Sequence, residues 1–182
     1  MIFEAKEFEL NGRNILLRSG TVEDAEVVLE VYKQVCGESR FLSRGSDEVT
    51  ETVEDEAKMI SDCIESEDSM LILAFVDGEY AGNCSFRGIK RKRARHRAGI
   101  GIGILDKYTN FGLGRLMLEN LISKIEELGY EQIELKVIDS NDRARHLYRS
   151  LGFKGFGCIP HYDKYEDGTY SDIIEMVKEV PR

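Results

Sequence analysis

The chain has 182 residues, and 34 acidic against 25 basic side chains give it a formal net charge of −9. This length fits a single domain over residues 1–182, with a core large enough to fold without cross-links. The acidic balance disfavours general nucleic-acid binding and mildly favours a cationic small molecule or peptide as partner, although it also simply promotes solubility.

Membrane, secretory and metal-binding classes lack their signals. The N-terminal segment has acidic residues where a signal peptide needs positive charge, and no apolar run approaches the ~18 residues of a membrane span. The cysteines have no CxxC spacing, so neither a zinc site nor a redox pair is expected. They are Cys36, Cys63, Cys84 and Cys158. We expect a cytoplasmic protein with buried free thiols, no metal and no membrane partner.

Hydrophobic periodicity predicts an α/β protein with about seven strands and about four helices. The strands have continuous or alternating apolar side chains and are predicted over residues 14–18, 70–76, 80–87, 98–105, 132–137, 153–159 and 170–178. The helices have apolar side chains at helical spacing and are predicted over residues 21–37, 48–66, 112–128 and 141–152. Gly37 is the predicted end of the first helix.

One connection sets the sheet type. Strand 98–105, helix 112–128 and strand 132–137 follow each other directly, which predicts a crossover with the two strands parallel. The remaining strands are predicted to pair mostly antiparallel, as in the hairpin around Asp77-Gly78. The expected fold is therefore a mixed α+β sheet, flanked by helices, with a parallel pair in its middle.

The loop Gly112-Leu113-Gly114 opens the crossover helix. Such a loop aims several backbone N–H groups and the positive end of the helix dipole at one point, where a phosphate binds. It lacks the Lys-Ser/Thr ending of a P-loop and the third glycine of a dinucleotide-binding fingerprint. By itself the loop is equally consistent with a tight strand-to-helix turn.

A second motif follows one strand later. Asn141 stands at a helix start, where its side chain can cap the helix or reach into a crevice, and Tyr148 lies two turns further along the same face. Each residue alone could be structural, as an N-cap and a core aromatic. The pair, at this spacing and after this crossover, is much harder to explain by chance.

Together these segments resemble the GNAT N-acetyltransferase superfamily, over about residues 14–178. Gly112 and Gly114 match the motif Gln/Arg-x-x-Gly-x-Gly/Ala, but Thr109 stands where Gln or Arg is usual. The motif Asn…Ala…Tyr…Gly-Phe matches at Asn141, Ala144, Tyr148, Gly152 and Phe153. The resemblance implies a GNAT-like sheet whose central parallel strands splay apart, with acetyl-CoA between them.

The resemblance also implies which residues touch the cofactor. The pantetheine arm would pair with the first splayed strand, at Ile102, Gly103, Ile104 and Leu105. The diphosphate would lie on the amides of Phe111, Gly112, Leu113, Gly114 and Arg115, and the Arg115 side chain would add a charge-assisted contact. Asn141 would hydrogen-bond the cofactor near its thioester.

The implied reaction is direct attack of a neutral primary amine on the thioester. A backbone N–H near Ile104 would stabilise the oxyanion, and Tyr148 would donate a proton to the leaving thiolate. The general base stays unassigned, with candidates that share only proximity to the site: Glu38, His161, Asp163 and Asp172.

The acceptor is predicted to bind between the loop at Phe41-Leu42 and segment 161–170, whose acidic residues suit a cationic amine. A small-molecule amine and a peptide or protein N-terminus both remain open, and the family is compatible with a homodimer.

Two alternatives remain. The first is a non-catalytic acyl-CoA-binding or regulatory module on the same fold, which Tyr148 disfavours and Thr109 keeps open. The second is RNA binding through the basic run at residues 87–97. A solvated hairpin, or a patch that pairs with the acidic helix at 48–66, is the preferred interpretation of that run.

Overall fold

The computed structural model describes residues 1–180, which form eight strands and four α-helices. The strands are β1 Lys6–Leu10, β2 Arg13–Ser19, β3 Ser69–Val76, β4 Glu79–Gly88, β5 Arg97–Ile104, β6 Gln132–Ile138, β7 Lys154–Lys164 and β8 Tyr170–Glu179. The helices are α1 Ala25–Glu38, α2 Val53–Glu65, α3 Leu113–Glu127 and α4 Asp142–Ser150. All eight strands belong to one sheet, in the order β1-β2-β3-β4-β5-β6-β8-β7.

The predicted mixed sheet is confirmed. β5 and β6 pair in parallel across the crossover through α3, and the other neighbouring strands pair antiparallel. Helices cover both faces of the sheet. The side chains of β3 are buried on both faces, which explains the uninterrupted apolar run of that strand.

One strand and two helix boundaries differ from the prediction. The prediction of seven strands omits β1, a half-exposed edge strand whose hairpin turn, Asn11-Gly12, has positive φ at both residues. Gly37 lies inside α1 and does not end it. The second helix begins at Val53, because Thr52 caps it by accepting a hydrogen bond from the Asp55 N–H.

Two further predictions, for the cysteines and for the basic run, differ from the structure. Cys36, Cys63 and Cys84 are buried free thiols as predicted, but Cys158 is exposed because it lies on the edge strand β7. In the basic run, Lys90 lies 3.9 Å from Asp68, which follows α2, so the ion pair does not involve the helix itself. No helix within residues 1–180 is long and apolar enough to cross a membrane.

An ion pair ties the first strand of the core to the first helix. Two nitrogens of Arg18 donate to the two carboxylate oxygens of Asp24, both at 2.7 Å, and Asp24 also accepts the Thr21 N–H at 2.7 Å. The hydrogen bonds from Arg18 hold the pKa of Asp24 below its ordinary value. This pair fixes the direction in which the chain leaves β2 and enters α1.

We expect Asp24→Asn to lower the free energy of unfolding by about 1–3 kcal/mol at neutral pH, because it leaves a half-buried guanidinium without its counter-charge. A lowered carboxyl pKa stabilises the fold above about pH 4 and loses this effect as pH falls further. The difference between wild type and variant should therefore shrink in acid, as measured by urea unfolding. Asp62→Asn, which removes an exposed pair with Lys58, is the control and should change little.

Candidate active site

The two parallel strands separate after a short stretch of pairing. β5 and β6 are in register only from Arg97↔Gln132 to Gly99↔Glu134, although both strands continue. β4 follows β5 as far as Ile104, and β8 follows β6 as far as Ile138. Beyond Gly99, the facing backbone edges of β5 and β6 therefore form no hydrogen bonds with each other. They line a cavity of about 1660 Å³, which is called the cleft below.

The orientation of the β5 backbone places N–H groups in the cleft. Leu105 donates its N–H to the Ala81 carbonyl at 3.0 Å, on the β4 side. Because successive amides of a strand point to opposite edges, the Ile104 N–H points away from β4, toward the cleft. The N–H of Ile102 has the same orientation.

A bulge in β4 supports this edge of the cleft. The register with β3 shifts at Ala81, and Gly82 follows with a φ of +145°. A Cβ atom on Gly82 would lie 2.2 Å from the Gly103 carbonyl oxygen. Only glycine permits this close approach of β4 to β5.

The start of α3 supplies free amides at the end of the cleft. Gly112 adopts a left-handed conformation, with a φ of +102°, and its carbonyl accepts the N–H of Leu116. The three amides between them precede the first intrahelical bond, so they remain available to an anion. Gly114 sits tightly below them, since a Cβ there would lie 3.4 Å from both Ile104 and Leu147.

The structure brings most of the predicted cofactor and catalytic residues to the cleft. Those that line it are Ile102, Gly103, Ile104, Gly112, Gly114, Arg115, Asn141 and Tyr148. The side chains of Leu105 and Leu113 are buried in the core, the Phe111 ring faces Arg13 and its carbonyl accepts from the Asn11 amide, and the predicted contacts of the Phe111 and Leu113 amides stay predictions. The N–H of Leu105 donates to the Ala81 carbonyl and its own carbonyl accepts the Tyr108 N–H, so its contact with a cofactor stays a prediction.

The two residues of the second motif have different environments. Asn141 caps α4, because its side-chain oxygen accepts the Ala144 N–H at 3.1 Å. Its side-chain nitrogen, Nδ2, forms no hydrogen bond with residues 1–180. Tyr148 is 8% exposed and packs edge-on against Phe153. Burial raises the pKa of Tyr148 to about 12, so the phenol stays protonated at neutral pH.

Arg143 is a site residue that the sequence analysis missed. It lines the cleft, and its guanidinium donates to the Thr109 hydroxyl at 3.1 Å and lies 3.6 Å from Asp106. A cation from α4 thus stands beside the position where the motif usually has Gln or Arg. The sequence separation of 34 between Thr109 and Arg143 hid this contact from any local pattern.

The carboxylates of two of the four candidate bases, Glu38 and Asp172, accept structural hydrogen bonds. Glu38 accepts the Asp106 N–H at 2.9 Å with one oxygen and the Gln34 amide at 2.7 Å with the other. Asp172 accepts the His161 N–H, and neither of these two residues lines the cleft. Asp163 does line it. A further carboxylate in the cleft wall, Glu56 of α2, was not predicted, although its spacing of three residues from Val53 and four from Ile60 puts it on the apolar face of the helix.

The two segments predicted to hold the acceptor contact each other. Arg40 stacks on the Tyr165 ring at 4.2 Å and donates to Thr169 at 3.1 Å, and the Tyr165 hydroxyl donates to the Arg40 carbonyl. Phe41 and Leu42 line the cleft next to this contact. The loop after α1 and the β7–β8 hairpin therefore form one wall.

A mixed sheet with splayed parallel strands and a free helix N-terminus at the end of the split defines an acyl-CoA-type transferase fold. A sequence profile of the Acetyltransferase (GNAT) family matches residues 38–153. A GNAT-family acetyltransferase from Streptococcus pneumoniae superimposes with a TM-score of 0.87 at 30% identity, over 91% of this chain and 99% of that one. The chain belongs to the GNAT acetyltransferase family.

Curated relatives are similar over shorter segments. An N-alpha-acetyltransferase from Sulfurisphaera tokodaii is 30% identical over 110 residues, which is 56% of this chain and 65% of the relative. A ribosomal protein bS18 alanine N-acetyltransferase from Escherichia coli K12 is 38% identical over 73 residues, 40% of this chain and 49% of the relative. The matched segment thus spans about half to two thirds of these relatives.

Acetyltransferases of this family use acetyl-CoA, and the cleft fits that molecule. The free amides at the start of α3 suit a diphosphate, and the unpaired β5 edge suits the amides of an extended pantetheine arm. Arg115 and Arg143 add positive charge at the phosphate end, although Arg115 also bonds Ser150 at 2.6 Å.

Gly82→Ala should lower stability, because the added methyl collides with the Gly103 carbonyl and the left-handed backbone is strained. We expect a loss of about 2 kcal/mol or more, or roughly 4–8 °C in melting temperature for a chain of this size. Gly99→Ala is the matched control on the neighbouring strand, since a Cβ there meets nothing within 4 Å. Equal melting temperatures for the two variants would contradict the proposed role of the bulge.

Proposed function

We propose that this protein is an acetyl-CoA-dependent N-acetyltransferase that acetylates a primary amine by direct attack on the thioester. The observation that carries the proposal is the early end of β5–β6 pairing, with the free N-terminus of α3 beside the opening. Bound acetyl-CoA supplies an activated acetyl group. The chain positions it, stabilises developing charge and receives the amine.

The N–H of Ile104 is the proposed oxyanion donor. It faces the cleft, because the next amide, that of Leu105, is bonded to Ala81. A backbone donor held by the β4–β5 ladder needs no reorganisation when negative charge develops on the acetyl oxygen, which is the condition for strong electrostatic stabilisation.

Tyr148 is the proposed hydrogen donor to the leaving sulfur. Its hydroxyl forms no hydrogen bond with other residues in the described part of the chain, and it lines the cleft. A phenol pKa of about 12 lies roughly three units above that of a thiol, so Tyr148 acts mainly by hydrogen-bonding the sulfur as the C–S bond breaks.

The acceptor is a primary amine, and the named activities of the two curated relatives favour the α-amine of a protein or peptide. A small-molecule amine is the second acceptor class. The test is release of the coenzyme A thiol from acetyl-CoA with a panel of N-terminal peptides, amino-acid amides and alkylamines. Tight binding of coenzyme A without thiol release on any of them would favour a non-catalytic binding module.

Tyr148→Phe should lower kcat at least tenfold and leave the affinity for coenzyme A unchanged, because only the hydroxyl is lost and the packing on Phe153 stays. Thiol release and isothermal calorimetry measure the two effects. Tyr130→Phe, outside the cleft lining, is the matched control and should keep its turnover. Unchanged kcat in Tyr148→Phe would remove Tyr148 from the reaction.

Arg143 is proposed to replace the basic side chain that Thr109 lacks. Arg143→Ala should weaken coenzyme A binding severalfold and make that binding less sensitive to salt, because one cation–phosphate contact is lost. Adding Thr109→Arg to that variant should restore part of the affinity, since it places a cation in the same loop. Calorimetry at low and moderate salt checks both, and equal affinity in all three proteins would contradict the role.

A further inference from the structure

Glu56 is an unpaired carboxylate buried in the wall of the cleft. The residue is 9% exposed, lies in the first turn of α2, and lines the same cavity as Tyr148. Its carboxylate forms no hydrogen bond or ion pair with any residue in 1–180. Burying a carboxylate without a partner is costly, so such a group is expected where a ligand completes it.

The wall of the cleft that contains Glu56 faces a part of β5 that has no side chains. Gly99, Gly101 and Gly103 alternate along the strand, and together they are called the glycine face. A Cβ on Gly103 would lie 3.8 Å from Val35 of α1, which places the glycine face on the side of α1 and α2. Without side chains there, an acceptor can lie directly against the strand that carries the Ile104 amide.

A short chain of contacts links the glycine face to Glu56. Asn83 lies directly opposite Gly103 in the β4–β5 register. Its amide nitrogen donates to the Tyr80 hydroxyl at 2.8 Å, and Glu56 acts electrostatically on the same hydroxyl. Glu56 is therefore connected through Tyr80 and Asn83 to the part of β5 that contains Gly103.

The charged groups around Glu56 provide no positively charged partner for its carboxylate among residues 1–180. The charge that acts on it is Glu51, also negative, and that group is bound by Arg44 at 2.7 Å. Tyr80 faces it from β4, and Asp24, which also acts on Tyr80, is held by Arg18. Burial and the charge of Glu51 together raise the pKa of Glu56, which makes it a better proton acceptor near neutral pH.

We propose that Glu56 binds the ammonium group of the acceptor and removes its proton, an inference that rests on the proposed function. One ammonium proton moves to a Glu56 oxygen and later to solvent. The freed lone pair forms the N–C bond as the C–S bond breaks and its electron pair goes to sulfur. The second proton of the attacking nitrogen ends on sulfur, which leaves as the thiol.

The charge test compares Glu56→Gln with wild type and with Glu54→Gln, an exposed carboxylate on the same helix. The probe is the amine from the panel that wild type acetylates best. Glu56→Gln should lower kcat/KM about 100-fold and remove the acidic limb of its pH profile, while coenzyme A affinity and the Glu54→Gln profile stay unchanged. Glu56→Asp should recover part of the rate together with the acidic limb.

Two kinetic outcomes overturn the proposal. One is a Glu56→Gln protein whose rate and acidic limb match those of wild type. The other is a rise in KM alone with the acidic limb intact, which makes Glu56 an anchor for charge and not the base. Thiol release by wild type in the same assay keeps either outcome separate from a failure of the proposed function.

Stability supplies a readout that needs no acceptor. A raised pKa means that ionised Glu56 opposes folding increasingly as pH rises above its unfolded value, so Glu56→Gln should melt higher than wild type at neutral pH and converge with it in acid. A lower melting temperature for Glu56→Gln at neutral pH would reveal a structural partner of the carboxylate and overturn the proposal, even if wild type acetylates none of the panel.

Discussion

The site depends on one structural constraint, the end of pairing between two parallel strands that each keep their other neighbour. β5 remains bonded to β4 and β6 to β8 beyond the point of separation, so both strands stay in place while their facing edges open. Buried backbone polar groups without partners are costly. An opening of this kind therefore persists where water or an extended ligand satisfies the exposed N–H and carbonyl groups.

The strand β5 separates two chemical environments. Ile102 and Ile104 pack against Gly114 of α3, so the small residue on the helix lets a bulky strand face come close. The opposite glycine face leaves open space toward α1 and α2. The same eight residues thus pack on α3 on one side and, in the proposed function, leave the acceptor a route to the thioester on the other.

The net charge of the chain is −9, but the cleft is lined by both positive and negative side chains. Arg115 and Arg143 stand at the end near α3, where an anionic diphosphate would lie, and Glu56 stands at the acceptor wall. In the proposed function, Arg115 and Arg143 would attract the anionic cofactor and Glu56 would attract a cationic acceptor.

Local sequence determined the elements and the two motifs. Apolar spacing predicts α3 and β6, and the glycines at the start of α3 together with Asn141 and Tyr148 predict the family and its cofactor, because these signals are short-range and depend on backbone conformation. Strands at the edge of the sheet were harder to predict, because they bury few side chains; β1, with three exposed and two half-buried residues, is the example.

Only the tertiary structure decided which side chains meet across the cleft. It directed the Leu105 N–H to Ala81, brought Arg143 to Thr109 and left Glu56 without a partner in residues 1–180, because each of these results depends on contacts between distant segments. The pairing of charges between distant segments is a property of the packed chain, and no local pattern encodes it.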